Sequence, residues 1–102
     1  MQLFRAKTFK KDYQKLKITD KQYAKYIKFL SLLLEGKSLP LEARDHSLIG
    51  NYSGFREFHI GGDVLVVYYI EDEIIRLTRI GTRSQIFGSS GESVGPNSQF
   101  FI

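Results

Sequence analysis

Two hydrophobic rhythms divide this chain. Up to about residue 40 the apolar side chains recur every three or four positions, and from residue 55 they run together or alternate. Phe9, Tyr13 and Leu16 fall at i, i+4 and i+7, one face of a short helix. Lys10, Lys11, Gln14, Lys15 and Lys17 lie largely around its remaining surface. Thr8 is the expected N-cap, because its hydroxyl can satisfy an open backbone N–H. Thr19 or Asp20 caps a second helix whose core face reads Tyr23, Tyr26, Ile27, Leu30, Leu33 and Leu34. Gly36 stops it, and Pro40 lies a few residues beyond. The short Ile18-Thr19 link makes the two a helical hairpin, preceded by a short strand over residues 2–6.

Residues 40–54, PLEARDHSLIGNYSG, are a connecting segment rich in turn formers. Phe55–Ile60 reads as a strand, Gly61-Gly62-Asp63 as a turn, and Val64–Ile70 as a strand apolar enough to be covered on both faces. Glu71-Asp72 makes the next turn and Ile74–Ile80 the last strand. The order β-α-α-β-β-β predicts a two-layer α+β domain, with the N-terminal strand and helical hairpin on one face of a small, mostly antiparallel sheet. Residues 89–102 turn to Gly, Ser, Asn and Pro before ending in Phe100-Phe101-Ile102, and read mostly as a flexible tail to a domain over 1–88.

Charge is divided as sharply as hydrophobicity. Residues 1–40 carry ten Lys/Arg against Asp12, Asp20 and Glu35; residues 41–102 carry five Arg, no Lys and eight acids. The basic first part favours an anionic partner, nucleic acid first, although helix lysines are also ordinary solvated surface. With no cysteine, disulfides and thiolate-bound zinc are excluded and the default compartment is the cytoplasm. The N-terminus lacks a secretory h-region, and no apolar run approaches the roughly 18–20 residues of a membrane span.

The chain has only two histidines, His46 in the connecting segment and His59 at the end of the first hairpin strand. Asp63 opens the next strand; Arg79 ends the third, and Arg83 follows it in Gly81-Thr82-Arg83. Strand parity aligns Arg79 with Ile75 and Leu77, at the rim of the core, and antiparallel pairing lets Arg56 and Arg79 share a sheet surface with a histidine. Two imidazoles and fixed guanidinium groups suit RNA cleavage, which needs a base for the 2′-OH, an acid for the departing 5′-oxygen and positive charge for the phosphorane. A metal held by His46, His59 and Asp63 would lack a fourth ligand and HExxH-type spacing, and no GxSxG context supports a serine hydrolase. Taken singly, a histidine on a strand is more often structural, and Arg79 has a candidate salt-bridge partner in Glu57. Composition and spacing alone lead to a small basic α+β domain that binds nucleic acid.

Four motifs in order are more specific: Asp45-His46-Ser47-Leu48-Ile49-Gly50, Gly54-Phe55-Arg56-Glu57-Phe58-His59-Ile60, Asp63-Val64-Leu65-Val66-Val67-Tyr68, and Arg79-Ile80-Gly81-Thr82-Arg83-Ser84-Gln85-Ile86-Phe87. This run, with KDYxKL near the start, resembles the YafQ branch of the RelE/ParE toxin superfamily over about residues 1–88. The resemblance implies a RelE-like fold and a type II toxin: a ribosome-dependent mRNA interferase that cuts mRNA in the A site without metal or other cofactor. It implies proton transfer or orientation by His46, His59 and Asp63, phosphate stabilisation by Arg79, base positioning by Phe87, and phosphate contact or support by Arg56. The implied partners are a cognate antitoxin, mRNA and rRNA, with operator DNA reached only through the antitoxin and no membrane. Lys10 and Lys11 would strengthen docking in the anionic ribosomal cavity.

Two positions depart from the branch. Position 83 is Arg where His is usual; a guanidinium stays protonated, so Arg83 can clamp phosphate but cannot be an efficient acid. The acid role then passes to His59 or to His46, or the cut is slower. Position 64 is Val where some relatives have Trp. The alternatives are a non-catalytic RNA-binding relative and a ParE-like toxin that inhibits DNA gyrase.

Overall fold

A computed structural model describes residues 1–88, so the expectations for the tail lie outside the described residues. Strand β1 (Gln2–Arg5) leads into helices α1 (Lys7–Lys15) and α2 (Asp20–Leu34). After them come a two-residue strand β2 (His46–Ser47), the strands β3 (Arg56–Gly61), β4 (Val64–Glu71) and β5 (Ile74–Thr82), and a closing helix α3 (Arg83–Phe87). The sheet order is β1-β5-β4-β3-β2, with β1 parallel to β5 and every other pair antiparallel. The expected β-α-α-β-β-β order is present; β2 and α3 are additions to it.

The helical hairpin covers one face. Phe9 of α1 and Tyr26, Phe29 and Leu33 of α2 pack against Phe58, Val66, Tyr68 and Leu77 of the sheet. The buried stripe of α2 is rotated from the one expected: Phe29 enters the core, while Tyr23 and Ile27 are 44% and 50% exposed. Thr19 caps α2 in a reciprocal capping box with Gln22. Thr8, by contrast, is not the cap of α1. Ala6 takes that place, and the Thr8 hydroxyl donates to the Thr78 carbonyl at 2.6 Å.

The opposite face carries a second, smaller core of Leu48, Leu65, Val67, Ile86 and Phe87. This explains the unbroken apolar run of β4, whose residues are buried from Val64 to Tyr68. Its hairpin with β5 turns through Asp72 and Glu73, both with positive φ (55° and 60°), as a two-residue turn matched to strand twist requires.

A bulge in β5 overturns the expected parity of Arg79. Val67 pairs with Arg79, but Tyr68 pairs with Leu77, so Thr78 is an extra residue and Ile80, not Arg79, continues the row of Ile75 and Leu77. β1 pairs with β5 only as far as Leu77, and beyond it the strand edge needs another partner. Asp12 of α1 supplies one. Its carboxylate accepts from the Ile80 backbone N–H at 3.1 Å and from Arg79 Nε and Nη2 at 2.6 and 3.1 Å. These hydrogen bonds hold the Arg79 guanidinium above its ordinary pKa against the opposing effect of burial. One acid thereby fixes α1, closes a strand edge and orients an arginine. Asp12→Ala should cost about 1–3 kcal/mol by leaving these donors without an acceptor; a urea midpoint equal to that of the wild type would contradict this role.

Candidate active site

β3 alternates its side chains between the two faces. Arg56, Phe58 and Ile60 turn towards the helices; Glu57 and His59 turn away. β2 sets His46 directly opposite Glu57. At the end of β5, Thr82 caps α3 in a second capping box with Gln85 and delivers Arg83 to the same place. Gly81 is required here: at φ 156°, a Cβ would lie 2.7 Å from Gln85 Oε1, the atom that accepts from the Thr82 N–H. The Arg83 N–H also donates to the Asp63 carbonyl at 3.1 Å, tying α3 to the β3–β4 turn.

The centre of this arrangement is Glu57. Its side chain has no exposed surface, and Oε2 lies 3.1 Å from His59 Nε2, 3.1 Å from Arg83 Nη2 and 3.3 Å from His46 Nε2. Oε1 is buried with no hydrogen-bond partner among the described residues. Burial pushes the carboxyl pKa up, but the His59 hydrogen bond and the Arg83 charge outweigh it, and the net direction is below the ordinary 4.5. The two imidazoles are near-parallel, with centroids 6.1 Å apart. Arg44 touches both: its carbonyl accepts from His46 Nδ1 at 2.6 Å and its Nη2 donates to His59 Nδ1 at 3.2 Å.

His46, His59 and Arg83 are therefore brought together. The other expected site residues stand around them. Arg79 is paired with Asp12 rather than with Glu57. Arg56 does not share a face with His59; it donates to Asp45 at 3.2 Å and Ser47 at 2.9 Å, and Asp45 also accepts from the Tyr68 hydroxyl at 2.7 Å. Asp63 is exposed in the turn, and its carboxylate is not among the groups on Glu57. Phe87 is only 6% exposed, packed edge-on against Tyr52 and lying 5.8 Å beneath the Arg83 guanidinium, so its ring supports Arg83 as part of the core. Lys10 and Lys11 are exposed on α1.

Sequence reasoning missed Glu57 and Arg44 as members of the cluster. Glu57 stands two residues before His59, which on a strand means the same face, so a signal existed. Nothing in the local pattern marks Arg44. The donor atoms of His46, Glu57 and His59 lie within 4.8 Å of one another, in place of the His46, His59 and Asp63 set. A guanidinium on the same carboxylate oxygen opposes a cation there.

The family described as a bacterial toxin of type II toxin–antitoxin systems, YafQ, matches residues 1–88. The chain is 38% identical to the mRNA interferase toxin YafQ of Escherichia coli over 64 residues, 61% of this chain and 70% of that one. A copper-bound toxin variant from Helicobacter pylori has a TM-score of 0.73 at 34% identity, covering 84% of this chain and 98% of that chain. The E. coli DinJ-YafQ complex matches with a TM-score of 0.73 at 28% identity, over 84% and 97%. The shared fold is that of toxins from type II toxin–antitoxin systems. Within that class, the chain belongs to the YafQ family.

Because the folded Glu57 carboxyl titrates below 4.5, it contributes stability above that value, and the contribution is lost as pH falls through the folded value. Glu57→Gln should therefore lose stability at neutral pH and show a flatter decline on acidification. Urea titrations from neutral pH to about pH 3 check this; parallel pH profiles for the two proteins would refute it.

Proposed function

We propose that this toxin is an endoribonuclease that acts on the ribosome and cleaves mRNA in the A site. The observation that carries the reading is one buried carboxylate, Glu57, holding two imidazoles and a guanidinium on a single sheet face. The 2′-oxygen attacks the adjacent phosphorus, the O2′–P bond forms and the P–O5′ bond breaks. The products are a 2′,3′-cyclic phosphate and a 5′-hydroxyl. One imidazole takes the 2′-OH proton and the other supplies a proton to the departing oxygen. Imidazoles exchange protons near neutral pH, whereas Arg83 stays protonated and offers charge to the phosphorane. With acid, base and charge supplied by side chains, this route uses no metal.

The surrounding residues have supporting roles in this reading. Arg79, held by Asp12, adds a fixed charge at the rim. Asp63 borders the site in the turn that binds the Arg83 N–H, and orients the substrate. Phe87 backs Arg83, and Arg56 braces Asp45, the residue before His46. Lys10 and Lys11 meet rRNA phosphates. The silencing partner is an antitoxin, as DinJ is for the E. coli relative, with an acidic segment that folds onto the basic surface. The compartment is the cytoplasm, where ribosomes are met.

In a reconstituted translation reaction, primer extension should reveal new mRNA ends inside the A-site codon. His46→Ala should slow single-turnover cleavage on the order of 10²–10⁴-fold. Intact mRNA with the wild-type toxin and no antitoxin would overturn the reading. The double variant Lys10→Ala, Lys11→Ala should bind ribosomes more weakly and lower the salt slope of binding by about one to two; an unchanged slope would remove these lysines from the interface.

A further inference from the structure

We infer that Arg44 is a positioning residue that gives the two histidines different protonation patterns, making His46 the acid and His59 the base. The catalytic half of this inference rests on the nuclease reading above. The proton placement rests on hydrogen-bond polarity alone.

A carbonyl oxygen only accepts, so His46 Nδ1, 2.6 Å from the Arg44 carbonyl, must carry a hydrogen. His46 Nε2 faces the Glu57 carboxylate at 3.3 Å, again an acceptor. A hydrogen on Nε2 as well would make this ring the doubly protonated member of the pair. For His59 the polarity is reversed. A guanidinium only donates, so Nδ1, 3.2 Å from Arg44 Nη2, must present its lone pair. Its hydrogen then sits on Nε2, pointing at Glu57 Oε2 at 3.1 Å. A second hydrogen on His59 would set an N–H and a positive charge against the Arg44 guanidinium. Among the described residues, the charged groups facing the pair include Arg44, Glu57 and, through Glu57, Arg83.

One residue can do both because of its backbone. Arg44 ends the 3-10 turn Leu41–Ala43 in the left-handed region, with φ 48° and ψ 44°, uncommon for a residue other than Gly, Asn or Asp. That bend lets the carbonyl reach the following histidine while the side chain reaches across to β3. In the reaction, His46 gives its Nε2 proton to O5′. His59 accepts the 2′-OH proton on Nδ1 once the exposed Arg44 guanidinium withdraws. The pair ends with its protons exchanged, and solvent resets it.

Imidazole ¹⁵N NMR of the full-length protein tests this. The wild type should show His46 with both nitrogens protonated and His59 as the neutral Nε2–H tautomer. Arg44→Met keeps the carbonyl and loses the donor, so the Nδ1–H form of His59 should emerge while His46 stays as it was. Arg44→Lys, which keeps a donor, should return His59 towards the wild-type tautomer. Cleavage should fall about tenfold or more in Arg44→Met and recover in Arg44→Lys. A wild-type His59 carrying its proton on Nδ1, or His59 spectra that are identical in wild type and Arg44→Met, would overturn the inference. The NMR signal needs no RNA. The expected tautomers in a protein that leaves mRNA intact would support the proton placement and reject the nuclease reading instead.

Discussion

A buried negative charge is costly unless donors meet it, and three side chains meet Glu57 at Oε2, while Oε1 has no hydrogen-bond partner among the described residues. Its carboxylate cannot be satisfied unless β2, β3 and α3 each deliver a side chain to it: His46 from the first, His59 from its own strand, Arg83 from the last. Removing any of them leaves charge uncompensated in a place that water does not reach. The candidate site and the closure of the outer half of the sheet are therefore one energetic problem. This also explains why two such short elements, two and five residues long, hold their places. Neither is long enough to be stable on its own.

Arginine at position 83 suits this electrostatic duty well. A histidine there would offer a titratable proton; the guanidinium instead offers a permanent charge that keeps Glu57 ionised and lies over the Phe87 ring. Of the three side chains on Glu57, Arg83 is the one that does not exchange a proton near neutral pH. Arg44 and Asp12 extend the same logic outward, each being a single residue that satisfies several groups at once.

Much of this was legible in the sequence. The helical hairpin, the three long strands and the α+β layering follow from apolar spacing, which is strong where elements are long. The ordered motifs identified the family before any coordinates. The failures share one cause. Bulges, turns and edge contacts are decided by tertiary partners, not by periodicity. Strand parity misplaced Arg79 because Thr78 is an inserted residue in β5. Thr8 looked like a cap, but its hydroxyl was claimed by Thr78 some seventy positions away. Phe87 looked like a base-stacking ring, yet a second core on the far face of the sheet needed it. β2 is too short to register as a pattern, so the pairing of His46 with Glu57 had no signature. Glu57 itself could have been found from its i, i+2 relation to His59.

The β4–β5 turn has a consequence for the way any polyanion meets this protein. Glu71, Asp72 and Glu73 gather at the hairpin tip, while Val64 and Thr82, at the other end of the same two strands, adjoin Asp63 and Arg83. Eight residues of strand separate the two ends by about 25 Å. The hairpin is thus a lever with an acidic handle and an arginine-bearing working end. In the field of a nucleic acid the handle is repelled and the other end attracted. For a polyanion near the molecule, the acidic tip is the end kept away.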